Sequence, residues 1–180
     1  MTPATPRDVR VPEHAAHSDD PRMRAVVVGY GPTGRTVVRL LRENGVTPTV
    51  IDMNVETVRE LRQQGSAAVY GDATQPDTLN AADLRHAGSL ILTSAGMSDT
   101  PEAIRAAREI NPDIRVLARG SYLREREPLR RAGADDVFTG ESEVALALTE
   151  AILQRLGATP EQIERERDRA HAELFGDSTS

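Results

Sequence analysis

With 180 residues, a formal charge of −6 and no cysteine, the chain has room for one globular domain plus tails, and it excludes a disulfide framework, a thiolate nucleophile and a cysteine metal site. No stretch approaches the ~20 apolar residues that span a membrane and no apolar signal core opens the chain, so a soluble, cytoplasmic protein is expected. The negative charge, with three tyrosines, two phenylalanines and no tryptophan, argues against nucleic acid as a partner.

Residues 1–22 are rich in Pro, Asp, His and Arg without hydrophobic periodicity, and read as a disordered tail or linker. His14 and His17 have no further ligands nearby, so no metal site is expected there. Residues 23–157 read as one nucleotide-binding domain, and 158–180 as a charged helix and tail. The domain opens with AVVVGYGPTG, residues 25–34, where an apolar strand runs straight into Gly29-x-Gly31-x-x-Gly34. Gly29 suits the tight strand-to-helix turn, Gly31 the close approach of a pyrophosphate, and Gly34 close packing of helix on strand. The N-terminus of the next helix then faces the phosphates. That helix carries Val37, Val38 and Leu41 on one side. About twenty residues on, Asp52 ends the second strand, where a carboxylate suits ribose hydroxyls and repels a 2′-phosphate. The same run is one residue away from a P-loop, with Arg35 where lysine belongs. The chain contains no lysine, so phosphoryl transfer is set aside.

Six strand candidates follow one another: Ala25–Val28, Thr49–Asp52, Ala67–Tyr70, Ser89–Leu92, Arg115–Ala118 and Asp136–Phe138. Most are apolar throughout, as strands covered on both faces should be. Helices fill the gaps. One starts after Asn54 as N-cap, shows Val55, Val58 and Leu61, and stops at Gly65. Another starts at Thr100-Pro101-Glu102, with proline at its first position, and breaks at Asn111-Pro112. The alternation predicts an α/β, Rossmann-like, doubly wound parallel sheet of six strands in the order 3-2-1-4-5-6, with the ligand crevice at the carboxyl ends of strands 1 and 4. A helix through Val144, Leu148, Ile152 and Leu156 ends at Gly157, and Thr159 to Gln162 makes a capping box for one more. That extra C-terminal helix has only a thin apolar seam, Ile163, Ala170 and Leu174. Either a second chain covers the seam or ion pairs such as Glu161–Arg165 hold the helix in solvent.

Around the crevice, Asp72, Ala73 and Thr74 follow strand 3. Asp72 suits an adenine amino group, although Asp72 or Thr74 could instead cap the short helix near Pro76. Thr93 and Ser94, with Ala95 and Gly96, follow strand 4 opposite the glycine turn. Arg119 ends strand 5 and brings a guanidinium toward a phosphate, or else makes a surface ion pair. No catalytic constellation emerges: Tyr30, Tyr70 and Tyr122 have no lysine beside them, and His86 sits alone in a loop-like HAGS stretch. A non-enzymatic binding site is therefore expected. The alternatives are a small NAD-dependent oxidoreductase that borrows a partner's substrate site, and a ligand-free dimerisation scaffold.

The runs VVVGYGPTGRTVVRLL, VIDMN, AVYGDAT, LILTSAGM, NPDIRVLARG, RAGADDVF and GESEVALALTEAIL resemble the regulator-of-potassium-conductance family, also called the Trk-type N-terminal domain, over about residues 24–157. With the appended charged helix, the chain looks most like the cytosolic regulatory tail of Kef-like bacterial cation:proton antiporters. The resemblance implies a regulatory domain, usually a homodimer, that binds NAD(H) or an adenine nucleotide (AMP, ADP or ATP) and biases a membrane-embedded potassium or cation transport system. It also implies roles. Gly29, Tyr30, Gly31, Pro32, Thr33 and Gly34 form the phosphate turn; Asp52, Met53 and Asn54 lie at the ribose; Asp72, Ala73 and Thr74 read adenine; Thr93, Ser94 and Arg119 close the site. Many family members carry arginine where Pro32 stands, so the resemblance implies that a triphosphate is favoured less here than AMP, ADP or a dinucleotide.

Overall fold

The computed structural model describes residues 20–94 and 99–175. Ala95, Gly96, His14 and His17 lie outside the described residues. Six strands, β1 (Arg24–Val28), β2 (Thr47–Asp52), β3 (Ala68–Tyr70), β4 (Ser89–Leu92), β5 (Arg115–Gly120) and β6 (Asp136–Thr139), form one sheet in the order β3-β2-β1-β4-β5-β6. Every pairing is parallel, with Val27 level with Val50 on one side and Ile91 on the other. This is the doubly wound architecture the alternation predicts. The crevice opens where the order reverses, between β1 and β4.

The helices divide between the two faces as right-handed crossovers require. Helices α1 (Pro32–Glu43) and α2 (Val55–Gln63) pack Val38, Val58 and Leu61 against Val27 and Val50. Helices α3 (Pro76–Ala81), α4 (Thr100–Ile110) and α5 (Arg126–Ala132) cover the other face, where Leu79, Ile104, Ala107 and Leu129 meet Val26, Leu90, Val116 and Val137. Local chemistry sets the boundaries. The side chain of Asn54 accepts from the N–H groups of Glu56 and Thr57 at 2.9 and 3.2 Å and so starts α2. Helix α4 begins one residue earlier than the proline pattern suggests, with Thr100 first and Pro101 second. Val55 is exposed, so only Val58 and Leu61 of the expected α2 face reach the core.

The expectation that the strands are covered on both faces holds for β1 and fails for β4, β5 and β6. In these three, buried and less buried residues alternate, as in a sheet with one face open. The reason is topological: the crossovers between β3, β4, β5 and β6 all place their helices on one face, while on the other α1 and α2 lie over β1–β3 and only their edge is met by Ile91 of β4 among the described residues.

Helix α6 (Gly140–Arg155) leaves the carboxyl end of β6, capped by the Thr139 hydroxyl, and buries only Ser142 and Leu146. Helix α7 (Pro160–Phe175) folds back on α6. The capping box forms as expected, with the Thr159 N–H donating to Gln162 Oε1 at 2.8 Å and the Gln162 N–H to Thr159 Oγ1 at 3.3 Å. At the same turn, its own backbone N–H and the Thr159 hydroxyl hold the Glu161 carboxyl below its ordinary pKa. The seam of α7 is half-buried, and its ion pairs are Arg167–Glu150 and Arg169 with Glu166 and Glu173. Near its end, α7 stacks Phe175 on the Arg126 guanidinium at the start of α5, 4.2 Å from the ring centroid, and burial there lowers the Arg126 pKa.

Candidate functional site: the glycine turn and its rim

The turn from β1 into α1 is built by contacts that a side chain would destroy. Gly29 has φ +92°, a region L side chains rarely adopt, and a Cβ there would run into the Ser94 hydroxyl. A Cβ at Gly34 would collide with the Gly29 carbonyl oxygen. Gly31 differs. Its φ is −70° and an added Cβ meets nothing within 4 Å, so neither backbone strain nor internal packing demands glycine at that position.

What lies over Gly31 is the start of α1. Gly31 is the N-cap and no side-chain cap hydrogen bond forms. Pro32, at the first helical position, brings no N–H, which leaves those of Thr33 and Gly34 as the helix's orphan donors. Pro32 and Thr33 are exposed. An uncapped twelve-residue helix with its positive end open is chemically suited to an anion.

Asp52 stands beside this turn and is already engaged. Its Oδ2 accepts the Tyr30 N–H at 2.7 Å and its Oδ1 the Asn54 N–H at 2.8 Å. The two bonds tie the glycine turn to the end of β2 and fix the carboxylate's orientation. Each oxygen keeps a lone pair for a ribose hydroxyl. Met53 is exposed on the rim, whereas the Asn54 side chain is spent on the α2 cap.

The other residues divide between rim and scaffold. Asp72 Oδ1 accepts the Thr74 N–H at 2.9 Å and Thr74 Oγ1 accepts from Gln75 at 3.1 Å, while α3 is capped by Gln75 without a side-chain hydrogen bond. Asp72 therefore shapes the loop after β3 and does not cap the helix, and the side chains of Ala73 and Thr74 are buried. The Thr93 hydroxyl lies 3.0 Å from both the Val28 and Gly29 carbonyls, so it braces the turn from below. Ser94 sits directly under Gly29. The exposed Arg119 side chain does not take the ion-pair role: its guanidinium donates to the Thr93 carbonyl at 3.2 Å, across the mouth of the crevice.

Sequence reasoning used Arg35 only to dismiss a P-loop. Its guanidinium lies over the Tyr30 ring, 5.6 Å from the centroid, and its Nε donates to the Tyr30 carbonyl at 3.3 Å, a second positive charge next to the turn. Its place directly after the third glycine was the available signal. His86 pairs with Asp83 at 2.6 Å on the exposed surface. Among the described residues, no three His, Asp or Glu side chains gather into a metal-binding group.

The fold and this turn define a Rossmann-type domain. A family model of the TrkA-N domain matches residues 25–140, and the chain belongs to that family. The TrkA-N domain of the inner membrane protein YbaL from Escherichia coli is 34% identical over 72% of this chain and 96% of that one, with a TM-score of 0.69. The GsuK protein bound to ADP is 25% identical over 74% of this chain, at a TM-score of 0.61, and the match spans 35% of that longer chain. The Kef C-terminal domain of Shewanella denitrificans in its AMP-bound form shares the fold at 24% identity and a TM-score of 0.66, over 84% of this chain and 94% of that one. Among the described residues, no helix is long and apolar enough to cross a membrane.

Proposed function

We propose that this chain is a cytoplasmic regulatory module that binds NAD(H) or an adenine nucleotide at the Gly29–Gly34 turn and transmits occupancy, through a homodimer, to a membrane-embedded cation:proton antiporter or related cation transport system. The observation that carries the reading is the combination at Gly31: a glycine that nothing inside the protein requires, over an uncapped helix start. Phosphate approach explains both. Asp52, held by two backbone amides with a lone pair left on each oxygen, supports a ribose contact, and Arg119 and Arg35 add positive charge at the rim. ADP on the related GsuK protein supports an adenosine phosphate.

The site binds and does not transform. Among the described residues, no titratable group at the turn is arranged as a proton donor or nucleophile, and a regulator requires only a ligand that favours one state over another. A coupling of roughly 1–3 kcal/mol would alter transport several-fold to a hundredfold.

Isothermal titration calorimetry of the full chain with AMP, ADP, ATP, NAD and NADH tests the reading. Saturable binding of at least one, weakened several-fold by Arg119→Ala with no change in melting temperature of the free protein, is the expected outcome. No heat with any of the five would reduce the chain to a scaffold. Steady turnover of the bound molecule would make it an enzyme.

A further inference from the structure

We infer that Arg35 is the residue that selects ligands carrying two phosphates, such as ADP and NAD, over AMP. The inference rests on the reading that the Gly29–Gly34 turn holds an adenosine phosphate, and it deepens that reading by assigning the second phosphate to a side chain of α1.

The helix start has donors for one phosphate group. With Pro32 at the first helical position, the N–H groups of Thr33 and Gly34 stand open, and two donors match two oxygens of a single phosphate. A second phosphate brings further negative charge that the same two amides cannot also serve, so it needs donors and a positive charge of its own.

Arg35 stands where that charge is wanted. It is the fourth residue of α1, and its own N–H is already spent on the Gly31 carbonyl at 2.9 Å. Side chains on a helix lean toward its N-terminus. Here the lean brings Nε to the Tyr30 carbonyl at 3.3 Å, next to the Gly31 N-cap, and sets the guanidinium carbon over the Tyr30 ring, 5.6 Å from the centroid. The carbonyl and the ring hold the guanidinium at one corner. Its two terminal nitrogens, the edge that engages a phosphate through two parallel hydrogen bonds, have no partner among the described residues.

The neighbouring arginines of the same helix are already occupied. Arg39 donates to both oxygens of Glu43 at 2.8–2.9 Å, and Arg42 donates to Ser66 at 2.7 Å. Tyr30 joins Arg35 to the rest of the site. Its N–H goes to Asp52 Oδ2 at 2.7 Å and its carbonyl takes Arg35, so one residue sets the spacing between the carboxylate assigned to the ribose and the guanidinium assigned to the second phosphate. AMP uses the carboxylate and the open amides, and gains from Arg35 only the long-range attraction that salt screens.

Calorimetric titration of the full chain with AMP, ADP and NAD, for the parent, Arg35→Gln and Arg39→Gln, tests the assignment. Both substitutions remove one positive charge from the same exposed side of α1. Arg35→Gln should weaken ADP and NAD about tenfold or more, should weaken AMP by less than about threefold, and should leave the melting temperature of the free protein unchanged. Arg39→Gln should bind all three ligands as the parent does. An equal loss for AMP and ADP, full ADP affinity in Arg35→Gln, or the same loss in Arg39→Gln would each overturn the assignment. A parent chain that binds AMP but neither ADP nor NAD would overturn it and leave the adenosine-phosphate reading standing, whereas a parent chain that binds none of the three would end both.

Discussion

Substituting alanine for Gly31 separates a glycine kept for a ligand from one kept for the fold. At φ −70° with no atom within 4 Å of the new methyl, the variant suffers no strain and no clash, and the unfolded chain loses conformational freedom. The free protein should therefore gain about 0.4–1 kcal/mol. For a chain of this length that is a melting temperature up to about 4 °C higher. The same methyl occupies the space over the α1 N-terminus. Saturating ADP, at about a hundred times its dissociation constant, should stabilise the parent by roughly 2.7 kcal/mol, a shift of about 5–11 °C, and the variant far less. Gly34→Ala is the control, since its methyl collides with the Gly29 carbonyl and should lower the melting temperature without ligand. Differential scanning fluorimetry of the three proteins, with and without ADP, NAD and AMP, reads all of this. A Gly31→Ala chain that keeps the parent's full ligand shift would refute the assignment of the phosphate to this turn, and one that melts early would refute the claim that the fold does not need this glycine.

Asp52→Ala should weaken every adenosine ligand, and it should also destabilise the free protein by about 1–3 kcal/mol, because the Tyr30 and Asn54 amides lose their acceptor. Denaturant melts without ligand measure the second effect, and calorimetry the first. Arg108 donates to the Pro112, Ile114 and Gly133 carbonyls and to Asp135, at 2.7–3.1 Å, and so fastens α4 to the loops that begin β5 and β6. Arg108→Ala should cost roughly 2–3 kcal/mol of stability and leave nucleotide affinity unchanged, as a combined melt and titration would show.

Much of this was legible in the residues. The strand order follows from short apolar runs alternating with helical periodicity, because a right-handed crossover leaves few other topologies. Gly29 and Asp52 were legible for the same reason: a tight strand-to-helix turn and a carboxylate about twenty residues on are local and fixed by spacing. Asp72 was harder. Whether a side chain caps a helix or shapes the loop before it depends on backbone angles that composition does not reveal, and nothing in the local sequence shows that the Thr93 hydroxyl bonds two carbonyls beneath the turn.

By itself the sequence determined the layering of helices and strands, the site of the glycine turn and the absence of thiol or lysine chemistry, since each depends on residue type and near-neighbour spacing. Only the tertiary structure decided which of the three glycines is free of internal constraint, which polar groups are already spent on the scaffold, and that among the described residues no helix covers one face of β5 and β6. Those are questions of which surfaces meet across distant parts of the chain, and hydrophobic pattern alone does not distinguish an apolar residue that meets its own core from one left facing outward.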